Sequence, residues 1–221
     1  MIPTEVLYAA MSQELFDIYD EQDRKVGTVP RDEVHAKGYL HHSFHCWIVR
    51  DSPEGRKILF QKRQDSKDTF PGLYDITAAG HLSAGETVFD AVREVEEELG
   101  IPVRLDQLTS LGTIDYYATG TAGGKTFIDR EKCFVYGYLL NLPLTAYRLQ
   151  EEEVAGLYET GLEDAIALFE GNISSISASG ILSVQEGKAV PKIFDTTFSL
   201  SQFVPHKHDD YLHVFKELKR L

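Results

Sequence analysis

A mixed β-sheet flanked by helices, an α/β (α+β) fold, is what this sequence predicts, and three observations carry the prediction. β-rich runs fill the first third of the chain and return in its middle. One strongly periodic amphipathic helix, residues 88–99, separates the two groups. Two further helical patterns follow, and the order strands, helix, strands, helices suits a sheet with helices packed on it. No repeat or linker divides the chain, so residues 14–221 read as a single domain with a C-terminal extension from about residue 171.

Each element has its own reason. Residues 15–19 and 25–29 alternate around the polar turn 20–24, as the strands of a hairpin do. Residues 35–42 (HAKGYLHH) have little periodicity and read as a connector. FHCWIVR (44–50) and KILFQK (57–62) are strands around the turn DSPEG. A loop through Pro71-Gly72 leads to a strand over 74–79 that runs into Gly80. In the helix, Val88, Ala91, Val92, Val95 and Leu99 recur at spacings of 3 and 4, and Gly100-Ile101-Pro102 stops it. Residues 105–117 and 132–140 are strands joined by the loop TGTAGGKT (119–126). A second helix is expected over 162–170, and a last one within 205–221, with Tyr211, Leu212, Phe215, Leu218 and Leu221 on one face. Residues 171–191, rich in Ser and Gly, give no assignment. Residues 1–13 read as a disordered leader, with Met11 an alternative start.

The 221 residues suffice for a substantial core, and 43% hydrophobic with 26% charged residues is a globular composition. A net charge of −13 argues against a nucleic-acid backbone as partner. It also means that an anionic substrate needs metal ions or a local basic patch to be held. Two cysteines, Cys46 and Cys133, are too few for a disulfide framework, which makes a reducing cytoplasm the default. No apolar run reaches the ~18–20 residues of a membrane span, and no signal-peptide pattern opens the chain. The expected partner is a small molecule, and the chain a monomer or homodimer.

Glu94, Glu97 and Glu98 stand at i, i+3 and i+4, so their carboxylates share one side of the helix. Such repulsion costs a bare helix a few tenths of a kcal/mol per pair. A hard divalent cation with oxygen ligands would offset it; a solvated acidic face is the alternative. The surrounding residues Gly80, Glu86, Arg93, Glu94, Val95, Glu97, Glu98, Gly100 and Ile101 resemble the Nudix box, G-x5-E-x7-R-E-U-x-E-E-x-G-U. Six residues rather than seven separate Glu86 from Arg93, so the helix should start one residue late. The resemblance implies a Nudix α/β/α sandwich that hydrolyses a nucleoside diphosphate linked to another group, with Mg2+ or Mn2+. Glu94, Glu97 and Glu98 become the principal ligands or base, Glu86 and the Gly80 carbonyl supporting ligands, and Arg93 the residue that orients the glutamates. A late acid from residues 151–153, such as Glu152 or Glu153, fits the family habit of recruiting one; an acidic helix start is the alternative.

The segments at residues 14–44, 62–82 and 127–136 also resemble the Nudix subgroup related to isopentenyl-diphosphate isomerase. That likeness implies a second metal site at His35, His41 and His81 with Asp129 and Glu131, and leaves open whether His41 or His42 takes part. Asp129 and Glu131, at i and i+2, would in any case face one side of a strand; packing or backbone hydrogen bonds are the alternative use of the histidines. It further implies diphosphate contacts from Arg63 and Lys67. Tyr74 is a candidate aromatic contact, or a core residue. An isomerase needs a Cys just before the Gly-His pair; here Ala78-Ala79 precede Gly80-His81, and the box glutamates are complete. A hydrolase with an isomerase-like N-terminal extension is therefore expected, the alternatives being an isomerase-type enzyme or a non-catalytic nucleotide-binding module.

Overall fold

The computed structural model describes residues 14–122, 124–183 and 191–221; the expected leader lies outside the described residues. The N-terminal hairpin is present as β1 (Leu15–Tyr19) against β2 (Lys25–Pro30). The expected connector is in part a helix, α1 (Arg31–Lys37), ended by Gly38 in the left-handed conformation. Only Val34 of α1 is buried, so the segment has no apolar stripe for periodicity to detect.

β3 (His41–Ser52) and β4 (Gly55–Arg63) are the two strands around the turn at residues 51–55. The single strand expected over 74–79 is two short ones, β5 (Tyr74–Asp75) on β4 and β6 (Ala78–His81) on β3. The break falls at Thr77, whose hydroxyl donates to the Leu59 carbonyl and accepts the Ile48 amide at 3.0 Å. The box helix is likewise split, into α2 (Val88–Ala91) and α3 (Arg93–Leu99). The seam at Val92 carries a tightened bond, Val95 N–H to the Val92 carbonyl at 3.1 Å, which accommodates the short Glu86–Arg93 spacing.

β7 (Thr109–Ala122) and β8 (Lys125–Leu139) form a long hairpin, so strand replaces most of the loop expected over 119–126. β9 (Val154–Gly161) precedes the helix α4 (Leu162–Phe169), and β10 (Ile176–Leu182) pairs with β11 (Phe194–Phe198) in the unassigned extension. Helix α5 (His208–Leu218) closes the chain.

Among the described residues one sheet runs β11-β10-β9-β4-β3-β8-β7, with β5 and β6 added beside β4 and β3. β3 and β8 are parallel and the other pairs antiparallel, which makes the sheet mixed. Alternation along its central strands sorts the core into two layers. Trp47, Ile58 and Phe60 pack with α4 and α5 through Leu162, Phe169 and Phe215. Phe44, Ile48 and Leu59 pack with the box helices through Val92, Val95 and Leu99. The α/β/α sandwich expected from the resemblance is the fold observed. No helix among the described residues is long and apolar enough to cross a membrane.

Candidate active site

A cleft of about 1010 Å³ runs beside β6 and is lined by Glu94, Glu97 and Glu98 of the box, by His35 and His81, and by Arg63 and Lys67. A Cβ on Gly80 would collide with the Glu94 side chain, so any larger residue there displaces that carboxyl. Glu98 is 6% exposed and takes hydrogen bonds from the Ala79 amide at 3.1 Å and Gln61 Nε2 at 3.3 Å. No Lys, Arg or His nitrogen among the described residues lies within ion-pair distance of it. Burial, then the charge of Glu94, raises its pKa from the ordinary carboxylate range to about 8. Burial also raises Glu94, although Arg93 opposes the shift.

Arg93 lines the cleft with its guanidinium engaged by the box carboxylates. It grips Glu86 with two bonds of 3.1 Å, contacts Glu94, and reaches Glu97 at 3.3 Å. Glu86 also accepts the Ser83 amide at 2.7 Å, so despite its irregular spacing it is tied into the box. Glu97 is the most open of the four, its side chain 52% exposed.

At the other end, His35, His41, His81 and Asp129 each present one donor atom within 4.8 Å of the rest. His35 Nε2, His41 Nε2 and Asp129 Oδ1 are buried without hydrogen-bond partners. Orphans of this kind are rare in native interiors, and imidazole and carboxylate together suit a divalent transition ion. Burial is the main cause lowering the pKa of His35, to about 3, and of His41, to about 4, which keeps both rings neutral. Glu131 joins this set through His81, at 3.5 Å. Of the two histidines left open, His41 lies with this set, whereas His42 faces away, bonded to Asp23 at 2.7 Å and stacked on Tyr19. The hairpin covers the set, with Phe16 against the rings of His41 and His81 at 5.4 and 4.8 Å.

Of the expected substrate contacts, Arg63 and Lys67 line the cleft, and Tyr74 does not. Tyr74 is buried among Tyr158, Phe198 and Phe203, so it is a core residue. Arg63 is held by Asp75 at 3.1 Å and by Thr69, and Lys67 by Glu153. Glu153 lines the cleft, whereas Glu152 is exposed outside it, and β9 separates both from the expected helix α4, so neither is part of an acidic helix start. Sequence reasoning missed His206 and Asp75, 3.2 Å apart in the cleft wall. Asp75 is fully enclosed, and although burial alone would raise its pKa, His206 and Arg63 hold it low. A lone acid between Tyr74 and Ile76, in an otherwise apolar run, was the signal available for it.

Comparison with known proteins agrees with this geometry. The NUDIX domain family matches residues 40–175. An uncharacterized Nudix hydrolase of Clostridium acetobutylicum is 37% identical over 210 residues, 94% of this chain and 98% of that protein. An isopentenyl-diphosphate Delta-isomerase of Mycolicibacterium vanbaalenii is 36% identical over 125 residues, 56% of this chain and 65% of its own. A crystal structure from Deinococcus radiodurans, 17% identical with a TM-score of 0.55, covers 93% of this chain and 99% of its own, a likeness of fold. Box, sheet and relatives converge: the chain belongs to the Nudix family, as a pyrophosphohydrolase that cleaves a pyrophosphate-type bond.

Proposed function

We propose that the chain hydrolyses a nucleoside diphosphate derivative, or a related organic pyrophosphate, in a reaction that depends on Mg2+ or Mn2+ held by Glu94, Glu97 and Glu98. The observation that carries this reading is the enclosed Glu98 carboxyl, without an ion-pair partner among the described residues, beside Glu94 in a cleft that Lys67 and Arg63 also line. A group so placed is costly to ionise unless a cation joins it. The donor set is all oxygen, which fits Mg2+ or Mn2+. When bound, such an ion offsets charge on the phosphate and lowers the pKa of a water.

The protein residues divide the remaining work. Glu94 or Glu97 accepts the proton of the attacking water. Arg93 fixes the carboxylates through its bonds to Glu86, Glu94 and Glu97. Lys67 and Arg63 hold the diphosphate by charge. The Gly80 carbonyl and Glu86 support the ligand set, and Glu153 is the late acid. His35, His41, His81 and Asp129, with Glu131 at their margin, hold a second ion, as their orphaned donors support.

Isomerase chemistry is disfavoured by Ala79 ahead of Gly80-His81 and by Cys46, which is buried among Phe44, Ile48 and Ala78 on the opposite face of the sheet. The test is release of phosphate or a nucleotide product from a panel of nucleoside diphosphates and their sugar, dinucleotide and coenzyme derivatives, in Mg2+ and Mn2+. Turnover that disappears in Glu98→Gln supports the proposal. Tight, metal-independent binding with no turnover of any compound would replace it with a binding module.

A further inference from the structure

We propose that His45, Glu131 and Cys133 form a distinct site for a thiophilic divalent ion of the Zn2+ or Co2+ class, adjoining the histidine set. One donor atom from each lies within 4.8 Å of the other two, and all three residues are buried. Strand register brings them together. Along β3, His41, Ser43 and His45 point to one face of the sheet, and along β8, Glu131 and Cys133 share that face. The parallel pairing sets His41 beside Glu131 and Ser43 beside Cys133.

Glu131 divides its oxygens between the two clusters. Oε1 lies 3.5 Å from His81 Nε2, on the side of the histidine set. Oε2 lies 3.6 Å from the Cys133 sulfur. Next to that thiol, Ser43 Oγ is buried and has no hydrogen-bond partner among the described residues, so the pocket is polar and incompletely satisfied. His45 and Glu131 line the cleft, so the three residues adjoin the substrate space.

Ligand chemistry separates this site from the box. Thiolate, imidazole and carboxylate are ligands of Zn2+ and its relatives, whereas Mg2+ takes oxygen and holds its waters. On coordination the Cys133 thiol loses its proton to solvent and bonds the ion as thiolate. The other thiol provides an internal control. Cys46 is one residue out of phase with His45 and lies on the opposite face, among Phe44, Ile48 and Val95.

The experiment is titration of the full chain, stripped of metal with a chelator, with Co2+. A thiolate-to-cobalt charge-transfer band in the near ultraviolet should grow to saturation in the wild type and in Cys46→Ala. It should be lost in Cys133→Ser and weakened in His45→Ala, while Asp129→Ala keeps it. Zn2+ should abolish the band by displacement, and a large excess of Mg2+ should leave it in place. Cobalt bound to the wild type without a thiolate band would overturn the proposal, a result that needs no variant to fold. So would a band that survives in Cys133→Ser. Hydrolysis is not the readout, so failure of the substrate reading leaves this test intact.

Discussion

Replacing Glu98 by Gln should make the metal-free protein more stable at high pH while abolishing its activity. The native pKa of Glu98 is raised from 4.5 to about 8, so between those values the folded protein holds a proton that the unfolded chain has released. A raised carboxyl pKa therefore subtracts stability as pH climbs from about 4.5, and the loss is complete above about 8. At ~1.36 kcal/mol per pH unit the ceiling is about 5 kcal/mol, and relaxation around the buried group will bring the measured value below it. Gln keeps the shape and can accept from the Ala79 amide without the charge. Urea unfolding of chelator-treated wild type and variant, at pH 5 and pH 9, measures the effect. The variant should match the wild type at pH 5 and exceed it by a few kcal/mol at pH 9. Adding Mg2+ or Mn2+ at pH 9 should restore the wild type alone. A stability difference independent of pH would refute the reasoning, because it would mean that the Glu98 charge is solvated or already balanced.

Other variants probe the rest of the cleft. Gly80→Ala should weaken metal binding and kcat by roughly 10–100-fold with an unchanged far-ultraviolet spectrum, as expected when a supporting contact displaces a ligand; calorimetric metal titration decides it. Lys67→Ala should chiefly raise KM, whereas Arg63→Ala should raise KM and also destabilise the fold by about 1.5–3 kcal/mol, since Asp75 loses a charge-assisted bond but keeps His206. Asp75 has a depressed native pKa, so it adds stability above the ordinary carboxylate range that is lost as pH falls through its native value. Asp75→Asn should accordingly flatten the acid limb of a stability–pH curve, and an unaltered limb would remove Asp75 from the ion pair.

Much of this architecture was legible because its signals are local. The N-terminal hairpin, β3, β4, the box helix and α5 carry alternation or helical stripes, and Glu94, Glu97 and Glu98 announce themselves by spacing. β9 and β10 were not legible, and the reason differs for each. VAGLYETG has two glycines in a short run, and ISASGIL is polar at alternate positions, so each owes its conformation to neighbours across the sheet. α1 buries one residue and left no stripe to read. Tyr74 looked like a ligand contact because an aromatic beside a loop fits either use; its burial follows from the Phe198 and Phe203 side chains of the extension, far away in sequence. Asp75 and His206 meet across 131 positions, a pairing that no window of sequence contains.

The phase of β3 has a consequence for evolution and for engineering. Pairing with β6 on one flank and β8 on the other locks which alternate residues look toward the cleft. A slip of β3 by one residue would exchange His41, Ser43 and His45 for His42, Phe44 and Cys46, and bury imidazoles among the aliphatic side chains of the box helices. Coordinating residues can therefore be transplanted along this strand only in steps of two, so length changes in the segment before it must be absorbed by the turn at Gly38 or by the hairpin.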